Sequence, residues 1–217
     1  MNFGTEMLII ELIGIIAFAT SGAMIAIKKN FDLFGIIVLG VITAVGGGAI
    51  RDIILGIIPP AMFKNSLYVF VAFLTSCIAF IIGITSNLKF KRNRKIVVDI
   101  INFFDAVGLG VFAVTGTNTA IINGYSDNAF LVIFVGVVTG IGGGMLRDIL
   151  AGKIPFVLYK DIYASAAIIG ASLYYIMYIN GVNAFVSVSS SILVTILIRI
   201  LASFFHLGLP KINKNNK

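Results

Sequence analysis

A motif of seven residues occurs twice, each time where a membrane helix should not tolerate it. Residues 46–52 read Gly-Gly-Gly-Ala-Ile-Arg-Asp, and residues 142–148 read Gly-Gly-Gly-Met-Leu-Arg-Asp. The copies lie about 96 residues apart, each in the middle of a long apolar stretch. Glycine costs roughly 1 kcal/mol against alanine in a helix interior. An ionisable group in the hydrocarbon layer is expensive and usually faces a cavity or a partner. Broken helices at matched places in two halves of a chain point to a transport site.

The similarity extends beyond the glycines. Glu11-Leu-Ile-Gly14, followed by Ala17-Phe18-Ala19-Thr20-Ser21-Gly22, resembles Asp105-Ala-Val-Gly108, followed by Val111-Phe112-Ala113-Val114-Thr115-Gly116. Past the triplets, Asp52-Ile-Ile-Leu-Gly56 matches Asp148-Ile-Leu-Ala-Gly152, and Pro59 matches Pro155.

The chain is 59% hydrophobic and only 12% charged, with a mean hydropathy of +1.07. A soluble domain of this size needs more polar surface. The apolar residues are continuous rather than alternating, which disfavours a β-barrel. Runs of roughly 20 apolar residues therefore read as membrane helices. Seven spans are expected, at about 7–27, 33–57, 66–86, 97–122, 129–151, 160–180 and 183–205. Asn30, Asn123-Gly124 and Asn180-Gly181 mark turns between them. The first span has no basic segment before it and no small-residue cleavage site, so it reads as a retained helix. Cys77 is the single cysteine, which excludes an internal disulfide, and it reads as packing.

Each copy of the repeat holds three spans. An odd number turns the second copy upside down relative to the first. The expected fold is an all-α polytopic membrane protein: a three-plus-three inverted repeat with a seventh helix added. It forms one membrane domain over 1–205, with repeat one at about 7–86, repeat two at about 97–180 and the seventh helix at about 183–205. A polar basic tail, 206–217, follows.

Charge orients the bundle. With the N-terminus outside, the cytoplasmic side receives Lys28, Lys29, the cluster Lys89, Lys91, Arg92, Arg94 and Lys95, then Lys153, Lys160, Lys211, Lys214 and Lys217. The outer loops keep little beyond Lys64. This asymmetry places the N-terminus outside and the C-terminus in the cytoplasm of a plasma-membrane protein. The same residues account for the net charge of +7. They sit beside spans, so anionic lipid headgroups are the expected partner and nucleic acid is not.

The midpoint of the second span falls near Gly46, and Gly142 lies close to the middle of the fifth. Gly46, Gly47 and Gly48, with Gly142, Gly143 and Gly144, suggest a kink or an unwound turn facing a shared cavity. Close helix packing is the competing account, since small residues let helices touch. Arg51 and Arg147 follow their triplets by roughly 5 Å of helix. Asp52 and Asp148 are sequence neighbours of these arginines and do not share their helical face, so each is expected to meet a group on another helix. Glu11 and Asp105 are acids set one to two turns inside their spans, either interfacial or able to concentrate cations. Ser21 and Thr115 each place a hydroxyl beside a glycine, where a bond back to the helix is the common outcome. His206 has no second histidine or cysteine nearby for a metal site, so it reads as an interfacial anchor. No metal or cofactor is expected. No Lys-Ser/Thr follows the triplets, which argues against a nucleotide loop. No nucleophile–base pair is evident, and an enzyme is not expected.

At these residues the chain resembles the prokaryotic trimeric intracellular cation (TRIC) channels. Related bacterial sequences of this domain are described as glycine transporters. The resemblance rests on the doubled Gly-Gly-Gly-x-x-Arg-Asp motif, the three-plus-three-plus-one spans and the length, and covers about residues 7–205. It implies a homotrimer with a pore in each subunit, running between the repeats beside the second and fifth spans. It implies K⁺ and Na⁺ as permeants. Gly46–Gly48, Arg51, Asp52, Gly142–Gly144, Arg147 and Asp148 carry over by motif. The alternative is an inner-membrane transporter of glycine or a small amino acid. Animal TRIC channels carry a Lys-Glu-Val motif in the second span, where this chain has glycines. A cation path beside two arginines requires them to be neutralised by carboxylates, turned away or used as gates.

Overall fold

The computed structural model describes residues 3–85, 94–158 and 162–205. His206, Lys160, the tail and most of the 87–95 basic cluster lie outside these residues. The described residues form helices and turns with no strand. The helices are α1 (Phe3–Lys28), α2 (Leu33–Ile54), the short α3 (Ala61–Lys64), α4 (Leu67–Thr85), α5 (Arg94–Ala120), α6 (Ala129–Leu150), α7 (Ala164–Ile179) and α8 (Ala184–Phe204). A π-helical turn, Ile121–Tyr125, extends α5.

Six of these helices are long and apolar enough to span a membrane. The sixth expected span, about 160–180, contains α7, which has 16 residues. That is about 24 Å of helix, short of a hydrocarbon core of roughly 30 Å. Among the described residues of this span, the helix begins at Ala164.

The helix ends repeat with the motif. Asp32 caps α2 by accepting the Gly35 N–H at 2.7 Å, and Asn128 caps α6 by accepting the Leu131 N–H at 3.0 Å. Gly56 and Gly152 end the same two helices with φ of +69° and +63°. The amide after each, Ile57 or Lys153, reaches back to the carbonyl of Asp52 or Asp148 at 2.8 Å. This is a Schellman-type stop, which needs the left-handed residue that glycine supplies.

Packing follows the inverted repeat. α1, α2 and α4 form one three-helix bundle, and α5, α6 and α7 form the other. The bundles meet through repeat mates, α1 on α5 and α2 on α6. α8 packs on α5 and α7 of the second bundle. Among the described residues the first bundle has no such cover. Along α4 only Ala72 and Ser76 are buried, whereas α7 buries five residues.

α2 and α6 cross at the glycine triplets. A Cβ on Gly47 would strike the Thr139 carbonyl oxygen, and one on Gly143 would strike that of Thr43. A Cβ on Gly142 would lie 3.2 Å from the Gly47 Cα. Both helices remain hydrogen-bonded as α-helix through the triplets. The unwound turn expected from sequence is therefore absent. Glycine serves here to bring two backbones into contact.

Candidate transport site

Each arginine folds back onto its own neighbour. Arg51 Nε donates to Asp52 Oδ1 at 2.8 Å, and Arg147 Nε donates to Asp148 Oδ1 at 3.0 Å. Helical spacing argues against such a pairing of sequence neighbours, and the structure makes it in both copies. Adjacent residues point about 100° apart on a helix, but the long arginine stem spans that angle. The second oxygen of each aspartate accepts a backbone N–H from the segment after the helix. Asp52 Oδ2 takes Ala61 N at 2.6 Å, and Asp148 Oδ2 takes Phe156 N at 2.9 Å. The aspartates thus tie the returning chain to the arginines.

Two further residues complete each half-site, and one pair was not singled out from sequence. Tyr68 donates to Glu11 Oε2 at 2.7 Å, and Tyr163 donates to Asp105 Oδ1 at 3.3 Å. The tyrosines lie about 95 residues apart, matching the repeat. Their signal was present in that spacing, but neither belongs to an identical stretch of sequence.

The second half-site is closed. Arg147 Nη1 donates to Asp105 Oδ1 at 2.5 Å and to Ser21 Oγ at 2.7 Å, reaching across the repeat interface. Arg147, Asp105 and Asp148 have no exposed surface. Arg199, on α8, brings a second guanidinium. Its Nη2 lies 3.8 Å from Asp105 Oδ2, its Cζ sits 4.6 Å over the Tyr163 ring, and its Nη1 donates to the Ile162 carbonyl at 3.3 Å. Two carboxylates therefore meet two guanidiniums. A buried charge survives only when so paired.

The first half-site is open. Glu11, Gly48, Arg51, Asp52, Tyr68 and Phe112 line a cavity of about 40 Å³, together with apolar side chains. It has room for a few water-sized groups. Among the described residues Arg51 pairs with Asp52 alone, Glu11 is half-buried, and no guanidinium corresponds to Arg199. Two carboxylates here face one arginine.

The remaining residues expected at the site divide between structural and site roles. Gly46, Gly47, Gly142 and Gly143 form the crossing, while Gly48 borders the cavity and Gly144 lies beneath Tyr163. Neither Ser21 nor Thr115 bonds back to its helix. Ser21 accepts from Arg147, and Thr115 Oγ1 is buried with no hydrogen-bond partner. Lys28, Lys29 and Lys153 gather at one end of the bundle. Partial burial, and then Lys28, lower the Lys153 ammonium below the usual lysine range.

A family described as Glycine transporter matches this chain twice, over residues 8–83 and 102–179. The chain belongs to that family. The two matches fall one on each bundle. This glycine-transporter family member is 37% identical over 202 residues to a UPF0126 membrane protein of Vibrio cholerae, covering 93% of this chain and 81% of that one. It is equally identical over 202 residues to the UPF0126 inner membrane protein YadS of Escherichia coli, covering 93% of both. Among solved structures, a TRIC channel orthologue from Rhodobacter sphaeroides superposes with a TM-score of 0.84 at 30% identity, covering 94% of this chain and all of that one. A prokaryotic TRIC channel crystallised in 0.5 M KCl gives 0.84 at 34% identity, covering 95% and 100%. The family member is thus a helical multi-pass membrane protein with the fold of the TRIC channels.

Proposed function

We propose that this protein is a passive channel for monovalent cations, K⁺ and Na⁺, working as a homotrimer with one pathway in each subunit. The observation that carries this reading is the likeness to TRIC cation channels over the whole chain, with a TM-score of 0.81 at 36% identity in one of them. The pathway runs between the bundles, past the α2–α6 crossing, from the cavity at Arg51 to the cluster at Arg147. Carboxylates neutralise both arginines, which removes the main electrostatic objection to a cation path. Glu11 and Asp52 leave the first half-site with an excess of negative charge that attracts cations. Arg147, Asp105, Arg199 and Tyr163 close the other end.

The protein lies in the cell membrane with its N-terminus outside and its C-terminus in the cytoplasm, where Lys28, Lys29 and Lys153 meet anionic headgroups. It is not an enzyme. Reconstitution into planar bilayers tests the function. Unitary currents that reverse at the K⁺ equilibrium potential are expected.

Glycine transport is the second reading, favoured by one feature of the cavity. A guanidinium and a carboxylate, Arg51 and Glu11, border the same small apolar space. That pair suits the two charges of an amino acid. Saturable glycine uptake into liposomes without unitary currents would select it over the channel.

A further inference from the structure

The inverted repeat makes the two ends of the bundle alike in shape but not in charge. α1 ends at Lys28, and Lys29 follows it. α6 ends at Leu150, and its stop carries Lys153, whose N–H reaches the Asp148 carbonyl at 2.8 Å. The two helix ends meet, because Ala151 is buried in one apolar cluster with Ala23, Met24 and Ala26. The three ammonium groups therefore share one end of the bundle. The segment that carries Lys153 also covers the second half-site. Phe156 donates its N–H to Asp148 Oδ2 at 2.9 Å, and the Arg147 Cζ sits 5.2 Å over its ring. Inside that half-site the charges cancel, two guanidiniums against two carboxylates. Asp32 returns one negative charge from the α2 cap, and Lys95 and Asp99, exposed on α5, offset each other. The lysines thus leave this end positive. Their repeat mates at the other end are Ile122, Asn123 and Ile57, which carry no charge. The half-site there sets Glu11 and Asp52 against Arg51. Among the other described charges at that end, Glu6 and Asp127 outnumber Lys64.

We propose that Lys28, Lys29 and Lys153 form a positive collar over the Arg147 end of the pathway, so that cations enter more slowly from that end than from the Arg51 end and the open channel rectifies. The proposal rests on the protein being a cation channel. Its size follows from Coulomb's law in water. Three unit charges about 10 Å from the mouth, screened by about 50 mM salt, lower the local cation concentration about two- to threefold. In about 1 M salt the Debye length falls to about 3 Å, and the permeant ion no longer feels the collar. Fixed charge therefore gives a rectification that salt abolishes. Anionic headgroups beside the lysines screen them in the same way, so a neutral bilayer shows the collar at full strength.

The test uses the full chain in phosphatidylcholine bilayers with equal KCl on both sides. At about 50 mM KCl the unitary current should be about twofold larger when K⁺ enters from the Arg51 end. The ratio should fall toward one at about 1 M KCl, and also when Lys28→Gln, Lys29→Gln and Lys153→Gln are combined. A parent without rectification at low salt overturns the proposal, and so does a ratio that the triple substitution leaves unchanged. Ile154 is exposed beside Lys153, so Ile154→Cys with Cys77→Ser identifies the collar's side. A cationic methanethiosulfonate added there should deepen the rectification, and an anionic one should relieve it. A second readout needs no current. In neutral nanodiscs, the triple substitution should lower the ratio of anionic to cationic reagent rates at the Ile154→Cys thiol about fivefold. Raising the salt to about 1 M should do the same without it. An unchanged ratio overturns the collar. A lowered ratio in a protein that passes no unitary current supports the collar and refutes the channel.

Discussion

Arg147 has three acceptors and no exposed surface, whereas its repeat mate Arg51 has one acceptor and borders a cavity. The surrounding residues are nearly the same: an acid on the first helix of each bundle, an Arg-Asp pair on the second and a tyrosine near the start of the third. The difference coincides with α8, which among the described residues packs mainly on the second bundle and inserts Arg199 beside Asp105 and over Tyr163. One unrepeated helix adds the fourth charge to the second half-site, which is buried without exposed surface at Arg147, Asp105 and Asp148. The first half-site lacks that charge and borders a cavity of about 40 Å³.

The largest expected effect separates the arginines. Arg147→Ala leaves Asp105 and Asp148 buried without their main partner, which costs about 3–5 kcal/mol. Arg51→Ala leaves its carboxylates beside a cavity that water can enter, and costs about 1–2 kcal/mol. Thermal unfolding in detergent should rank Arg147→Ala well below Arg51→Ala. Equal losses would show that the two half-sites are equally tight in solution.

The crossing should behave symmetrically where the half-sites do not. Gly47→Ala and Gly143→Ala each drive a methyl group into a backbone carbonyl of the other helix. Each should cost about 1–3 kcal/mol, and by similar amounts. Gly48→Ala should be nearly neutral, while Gly144→Ala should displace Tyr163 and cost about 1 kcal/mol or more. Melting of the four variants separates the symmetric crossing from the asymmetric sites.

Arg199→Gln tests whether α8 is the source of the difference. Removing its charge should cost about 1–3 kcal/mol and raise the frequency of opening in bilayers. A variant that melts and gates like the parent would detach α8 from the closed cluster. The smallest effect is expected of the tyrosines. Tyr163→Phe removes one of several bonds to a buried carboxylate and should cost about 1 kcal/mol. Tyr68→Phe releases a half-buried Glu11 to water, and should cost about 0.5 kcal/mol while shifting current amplitude more than melting.

Much of the fold was legible because its signals are local or periodic. Apolar runs marked the spans. Asn30, Asn123-Gly124 and Asn180-Gly181 marked turns, where Asn30, Gly124 and Gly181 take positive φ. The site was less legible. Arg51, Asp52, Arg147 and Asp148 could be named from the motif, but their pairing depends on how far a guanidinium folds back, which helical spacing does not determine. Tyr68 and Tyr163 were hidden because the repeat preserves their position and not their neighbours.

The amino-acid sequence by itself determined the membrane class, the spans, the inverted repeat and the residues at its heart. Hydrophobic length and matched motifs depend on residues close together in the chain, so they survive without coordinates. Only the tertiary structure decided that the glycines join α2 to α6, that Arg199 meets Asp105 from about 94 residues away, and that one half-site is closed while its mate is open. Those outcomes depend on which helices touch. The contact of α8 with a single bundle is a choice of packing that nothing within either repeat encodes.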